Sequence, residues 1–515
     1  MFDQVKKNSK ILFFLLAVVI TIPAIIGLIH QGFPLTDDGN WMVIRFSAFY
    51  EALRNGQFPV RFLFRLNNGF GYPVADFLYP LFMYIGVPIH ILGFNFVNTI
   101  KIILGLSLVF SSIFTYLWLR KLFDKLSSLI GASLYTYFPY HLWDVYKRGS
   151  VGEVLALAVL PFIFWQIENK NALFTGFGIA LLITSHNSLA LIFLPFIFLY
   201  MLIKKSSVIS LLKTFILGFG LSAFFWLPAL YDKQFTVFDK TGVSDISNYF
   251  ISVKDLNILG LVFFAVVTLS IVLFIRSKDK LSGFFLTTSL LLTVLIFPFS
   301  FSIWRYLPFV NFIQFPFRLI SFIILGLSFL LSYQLNLFKG KLKILLTVSY
   351  LILIIISAKD FILPKDYQIF PDSFYSTNQD STTVKNEYMP KWVKVIPIAM
   401  ASERVALING QAKVQNVTTN GNRATFSINA LSQTQVQFNT VYFPGWKVKV
   451  DGKEIPISYN NDNGLIRFLI NPGNHNVNIS FGETPLRMIS DLISLVSLIA
   501  FFVFVIRDRK FLFKI

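Results

Sequence analysis

Apolar runs on the scale of a membrane-crossing helix, about 20 residues, recur along most of this chain. They fall at 11–30, 97–118, 127–142, 152–168, 172–187, 188–203, 209–229, 256–275, 281–298, 316–335, 342–357 and 486–506. A further run, 77–94, is short and broken by Pro80, Gly86, Pro88 and Gly93. Lys and Arg near span ends favour the cytoplasmic side, and this decides whether 77–94 crosses. With Lys6, Lys7 and Lys10 inside and 77–94 not crossing, six basic clusters fall inside. These are Arg120/Lys121/Lys125, Lys170, Lys204/Lys205, Arg276/Lys278/Lys280, Lys339/Lys341/Lys343 and Arg507/Arg509/Lys510. If 77–94 crossed, the loops from Arg120 to Lys343 would move outside. The pattern predicts a polytopic α-helical membrane protein of about 12 transmembrane helices, with both termini cytoplasmic and 77–94 re-entrant or interfacial. Lys6 to Lys10 ahead of the first run imitate a signal peptide. That run exceeds a typical h-region and no small-x-small site follows, so it is read as a retained anchor.

Residues 359–484 change character. Period-two alternation appears in 425–428, 447–450 and 476–480. Turn signals punctuate it at Asn420-Gly421, Pro444-Gly445, Asp451-Gly452, Asn463-Gly464 and Pro472-Gly473. Such segments predict an antiparallel β domain, which the span count places outside the cell. The expected organisation is a transmembrane domain over 1–358 with an outer loop at 31–76, an extracytoplasmic β-rich domain over 359–484, and a final transmembrane helix with a cytoplasmic tail over 485–515.

Composition narrows the class. Charged residues are 14% and hydrophobic ones 55% of the 515, with 60 Phe, and mean hydropathy is +0.65. A water-soluble globular enzyme carries about 25% charged residues and a disordered chain is apolar-poor, so both classes are excluded. The net charge of +19 is absorbed mostly by membrane orientation and implies no nucleic-acid partner. The chain has no Cys, hence no disulfide framework and no thiolate metal site.

The same topology sorts the polar residues by side. The first outer loop opens on Asp37 and Asp38. An amphipathic stretch follows, with Trp41, Ile44, Phe46, Phe49 and Leu53 apolar and Arg45, Glu51 and Arg54 polar, the pattern of a helix lying along the membrane surface. The two acids suit an N-cap as well as chemistry. Between the third and fourth spans, His141, Asp144, Lys147, Arg148 and Glu153 crowd together, and Asp144 and Arg148 form an i,i+4 pair if helical. Glu153 begins an apolar span, where an ionisable group is costly. His186 marks an outer turn and Arg318 the start of a span. Asp37, Asp38, Arg61, Arg65, His141, Asp144, Arg148, Glu153, His186 and Arg318 come from separate places, yet all map to one surface. Carboxylates beside cations suit an anionic headgroup next to a proton acceptor. No GxxxxGK[ST], GxGxxG or HExxH motif occurs, and the five His (30, 90, 141, 186, 475) form no close pair. No nucleotide cofactor is expected. A divalent metal fits the acid pair but has no separate motif.

Several segments carry a resemblance. The acidic pair and surface helix, followed by GFGYP and FLYPLFMY before the interrupted run, resemble the GT-C superfamily of integral-membrane glycosyltransferases. Closer still, YHLWDVYKRGSVGE (140–153), SHN (185–187), QFPFRL (314–319), EYMPKWV (387–393) and YFPGWKVKVDGKE (442–454) resemble a prokaryotic membrane-protein family called "6-pyruvoyl-tetrahydropterin synthase-related" and membrane proteins of the YfhO type. The pterin name is not carried over as chemistry, because the soluble synthase needs a His-rich zinc site and this sequence offers none. The GT-C resemblance implies a polyprenyl-phosphate-linked sugar as donor, membrane lipids as surroundings, and an outward-facing site near the first loop. There Asp37 or Asp38 would act as general base or metal-proximal carboxylate, with Trp41 in the aromatic place that follows the acid pair. Arg148, His186 or Arg318 would hold the lipid phosphate. The acceptor would be an envelope glycan, lipid or protein. The competing readings are a non-catalytic transporter or flippase and an envelope scaffold for lipid-linked glycans. In the β domain, Tyr442, Trp446 and Tyr459 with Asp451 and Asn460 suit either sugar stacking or a β-sandwich core with a turn at Asp451-Gly452.

Overall fold

The computed structural model describes residues 2–241, 246–306 and 310–507; Arg509 and Lys510 of the expected cytoplasmic tail lie outside the described residues. Among these, seven helices are long and apolar enough to cross a membrane: Ile11–Leu28, Phe96–Leu119, Val151–Glu168, Gly260–Ser277, Pro316–Leu337, Gly340–Ala358 and Pro485–Arg507. Two bent pairs raise the number to nine: Val208–Leu221 with Ala223–Phe235, at 68°, and Lys280–Leu295 with Pro298–Trp304, at 87°. The chain is a multi-pass α-helical membrane protein.

Three of the twelve expected spans fall on shorter helices, Lys125–Tyr137, Ala172–Ser185 and Asn187–Ile203. The shortening has local causes. Phe138 precedes Pro139 and is extended (φ −61°, ψ 132°), as the clash of a proline ring with the preceding residue demands. His186, also extended (φ −163°, ψ 105°), separates the other two. Leu81–Ile91, within the interrupted run, has 11 residues, or about 16 Å against a hydrocarbon core of about 30 Å.

Small residues let the helices approach. A Cβ on Gly131 would sit 2.8 Å from the Ser328 carbonyl oxygen, so the Lys125–Tyr137 helix lies directly against Ile320–Leu337 in the small-residue mode of membrane helix packing. At one end of this pair Asp124 caps the shorter helix through Leu126 N–H (3.1 Å) and accepts from Lys343 (2.6 Å). The Lys204–Glu168 pair (2.8 Å) lies at a helix end of the same basic set.

The C-terminal strands form two antiparallel sheets. One orders Ala412–Thr419, Arg423–Ala430, Gly473–Phe481, Trp446–Val450 and Lys453–Ile455; the other orders Val405–Asn409, Thr434–Val441 and Leu465–Ile470. Alternation does what period two requires: in Arg423–Ala430 the residues Ala424, Phe426, Ile428 and Ala430 are buried between more exposed neighbours. Asp451 and Gly452, at φ 49° and 82°, join two adjacent strands. Left-handed backbone at both central residues suits a tight hairpin, and Asp-Gly supplies it at low strain. Trp446 goes to the core: it meets Phe438 of the other sheet at 5.8 Å and Phe62 and Phe64 of the first loop at 5.8 and 5.9 Å. Tyr442 and Tyr459 stack on each other at 4.1 Å.

The segment between the Gly340–Ala358 helix and these strands wraps the first loop, and this changes one expectation. The Gly39–Arg54 helix forms, but Arg45, assigned above to a solvated face, is only 2% exposed. Its guanidinium donates to the Thr382 carbonyl (2.6 Å) and Ser47 donates to that of Tyr375 (2.6 Å). A chain more than 300 residues away roofs the polar face, which a local pattern does not reveal.

Candidate functional site

Where the helices stop short, a cavity of about 260 Å³ opens. Its walls come from six stretches of sequence: Asp38, Trp41 and Arg45; Leu78 and Tyr79; His186 to Ser188; Phe238, Thr241 and Tyr249; Gln314, Phe315 and Arg318; and Thr382 to Tyr388. Asp38 precedes the Gly39–Arg54 helix, yet its side chain makes no capping bond; Thr36 Oγ1 accepts from Gly39 N–H instead (3.1 Å). The capping role falls away, and the Asp38 carboxylate is left half-buried and facing the cavity. Burial raises its pKa above the usual carboxylate range, against the opposing pull of Arg148, Arg45 and Arg318.

A wide turn holds that loop in place. Asp144–Arg148 is a single π-turn ended by Gly149 at φ 67°, a feature often found at functional sites. Its open carbonyls accept from the loop: Asp38 N–H donates to Arg148 O (2.8 Å) and Asp37 N–H to Lys147 O (2.9 Å). Inside the turn, Arg148 Nη1 donates to both Asp144 (2.7 Å) and Glu153 (2.6 Å). Glu153 is fully buried and well served, accepting also from Tyr140 (2.5 Å), Ser321 (3.3 Å) and Arg318 Nε (3.4 Å). A buried charge is tolerable only with such pairing. Asp144 keeps Oδ2 unpartnered, and burial, reinforced by Glu153, raises its pKa well above the usual range.

Gly149 is where this arrangement is most brittle. An added Cβ would lie 2.9 Å from Gly39 N and Cα and 2.6 Å from Thr36 Oγ1. Gly149→Ala is expected to destabilise the protein by about 1–3 kcal/mol through backbone strain. The comparison is Gly452→Ala, where φ is also positive but nothing lies within 4 Å. Thermal unfolding in nanodiscs measures the gap, and equal losses would show that the loop contact is slack.

Arg318 and Arg45 both line the cavity, as does Lys385. Arg318 lies over Phe315 (4.7 Å) and donates through Nη1 to Ile313 O (2.9 Å) and Gln314 (2.8 Å). Its Nη2 donates to none of the described residues. Arg45 contributes from the helix. His186 Nδ1 accepts from Leu189 N–H (3.2 Å), which puts the proton on Nε2, 4.0 Å from Glu153. Its ring stacks on Tyr79 at 4.7 Å. His186 therefore caps the following helix through Nδ1 and lines the cavity as well.

Asp38, His186 and Arg318 line the cavity directly, with Arg148, Asp144 and Glu153 packed behind them. Asp37 turns outward to Lys147 (2.8 Å), both side chains about half exposed. His141 is buried; its Nδ1 donates to Tyr135 O (2.9 Å) and Nε2 is unpartnered. It does not line the cavity. Arg61 and Arg65 are also elsewhere. Arg61 joins Asp76 (3.4 Å), Glu483 (3.4 Å) and Asp491 (2.8 Å), and Arg65 joins Glu51 (2.7 Å) and Ser47 (2.5 Å). Sharing one surface in the topology did not make these two share the cavity.

Sequence reasoning missed Arg45, Tyr79, Gln314, Glu387 and Tyr388. The last three sit inside QFPFRL and EYMPKWV, so the motifs marked their neighbourhoods. Arg45 had no such signal. Among the described residues no group of three or more His, Asp and Glu is placed to hold a metal ion.

Comparison with known proteins adds the following. Residues 403–493 match the family model described as "Bacterial membrane protein YfhO", which meets the YfhO-type resemblance of the motifs. An uncharacterized protein of Lactococcus lactis subsp. cremoris (strain MG1363) is 28% identical over 264 residues, 47% of this chain and 42% of its own length. The chain thus spans less than half of that relative. Among solved structures, the arabinofuranosyltransferase AftD from Mycobacteria is similar with a TM-score of 0.42 at 14% identity, over 70% of this chain and 27% of AftD. The oligosaccharyltransferase of Archaeoglobus fulgidus is similar with a TM-score of 0.46 at 14% identity, over 72% of this chain and 53% of that one.

Proposed function

We propose that this protein is a GT-C-type membrane glycosyltransferase that moves a sugar from a polyprenyl-phosphate donor to an acceptor on the outer side of the membrane. The observation that carries the reading is the Asp38 carboxylate, which accepts from none of the described residues, sharing one cavity with Arg318, Arg45 and His186. An acceptor hydroxyl attacks the anomeric carbon and Asp38 takes its proton. The bond from that carbon to the phosphate oxygen breaks, and the charge gathering on the leaving phosphate meets Arg318 and His186, where preorganised donors have their largest effect. Arg148 and Glu153 position the loop and Arg318. The acceptor class is an envelope glycan, lipid or protein hydroxyl.

The outer location rests on charge asymmetry. Lys343 donates to Asp124, beside the Arg120 to Lys125 cluster, so two of the basic clusters meet at one end of the helices, and an excess of Lys and Arg at one end supports a cytoplasmic side there. In this reading both termini lie in the cytoplasm. The same reading has the 359–484 domain outside, between the 1–358 transmembrane domain and the final helix with its tail.

The test uses purified protein in nanodiscs with a panel of radiolabelled polyprenyl-phosphate sugars, following release of polyprenyl phosphate. Release by the wild type that is lost in Asp38→Asn supports a transferase. Binding without release in either protein would sink the enzyme and favour the flippase or scaffold.

A further inference from the structure

A second and larger cavity, of about 700 Å³, backs onto the wall that closes the first. Tyr79 and His186 face the reaction cavity, while Pro80, Leu81 and Thr184, a few residues along the same segments, face this groove. Its far side is one face of the last span, Met488, Leu492, Leu495 and Leu498. Met488, Leu492 and Leu495 are 61%, 59% and 53% exposed, so the groove opens sideways into the hydrocarbon.

Among the described residues a single charged side chain lines it, Asp491. Arg61 Nη2 donates to Asp491 Oδ1 (2.8 Å), and Oδ2 accepts from none of the described residues. The neighbouring cations are already ion-paired with other carboxylates. Arg61 also serves Asp76, Glu483 and the Phe224 carbonyl (2.6 Å). Arg487 serves Asp232 (2.8 Å), the Pro444 carbonyl (2.9 Å) and, at 3.6 Å, Asp76. Two arginines thus face four carboxylates, Asp76, Asp232, Glu483 and Asp491. An anionic head would be repelled here, whereas the reaction cavity, rich in cations, attracts one. From Asp491 to Leu498 the helix descends about 10 Å, enough to lay an alkyl chain along it.

We propose that this groove binds a lipid bearing a primary ammonium head, its chain against Leu492, Leu495 and Leu498 and its ammonium donating to Asp491 Oδ2. The lipid is distinct from the anionic donor proposed above, and the inference does not depend on that reading. A charge-assisted N–H bond at the edge of the hydrocarbon selects for a head that can donate.

The test is native mass spectrometry of the full chain in detergent, titrated separately with phosphatidylethanolamine, phosphatidylcholine and phosphatidylglycerol. Phosphatidylethanolamine is expected to be retained about tenfold more than either of the others, a difference of about 1.4 kcal/mol. Asp491→Asn should erase that preference, and Leu495→Trp, which fills the groove, should lower retention of all three. If Asp491→Asn fails to fold, the wild-type series decides alone: equal retention of the ethanolamine and choline heads, or of phosphatidylglycerol, overturns the proposal. So does an ethanolamine preference that survives in Asp491→Asn.

Discussion

Asp38→Asn is expected to lower turnover by about 10²- to 10⁴-fold, the range a positioned general base contributes, while donor binding changes little. Asparagine keeps the shape and removes only the proton acceptor. The pH profile separates this from a structural loss. A base works deprotonated, so wild-type turnover falls as pH drops through the Asp38 pKa. Burial raises that pKa, so the acid limb should lie above the value of about 3.9 for a free aspartate. The limb should vanish in Asp38→Asn. Asp37→Asn breaks only an exposed pair with Lys147, worth about 0–1 kcal/mol, and should leave turnover nearly intact. Equal loss in the two variants would sink the assignment of the base to Asp38.

The largest stability effect is expected at Arg148. Arg148→Met leaves Asp144 and Glu153, both fully buried, without the nitrogen they share. Breaking one side of a buried pair costs about 3–5 kcal/mol; here Asp144 keeps no side-chain donor among the described residues, and Glu153 keeps Arg318, at 3.4 Å, as its arginine. The methionine keeps much of the apolar stem that packs near Phe317 and Trp143, to which the guanidinium now lies 5.2 and 5.6 Å. Adding Glu153→Gln to Arg148→Met should recover part of the loss, since a neutral amide replaces a buried carboxylate that has lost its shortest ion pair. Unfolding of the single and double variants in nanodiscs measures both numbers. A double variant as unstable as the sum of the singles would show that Arg148 and Glu153 act independently.

These effects separate what is local from what is not. The spans, the interrupted run at 77–94 and the strand alternation follow from periodicity within a few turns of chain. So does the Asp451-Gly452 turn, because left-handed backbone selects its own residues. Candidate residues stood out as polar groups in apolar surroundings, which is why Asp38, Arg148, Glu153, His186 and Arg318 were visible at all. Their grouping was not. Asp37 and Asp38 are adjacent and chemically identical; the carbonyls of the 144–148 turn pin both backbones, and Lys147 draws one side chain outward. Arg61 and Arg65 were indistinguishable from Arg318 until Asp491 and Glu483, more than 400 residues on, claimed the first and Glu51 the second. Arg45 read as solvated because its partner, Thr382, lies 337 positions away. The sequence alone determined which segments are apolar, which alternate and which turn, since those depend on near neighbours. The tertiary structure decided which charges are buried together, because pairing a desolvated charge takes a partner that only the folded chain brings within 3 Å.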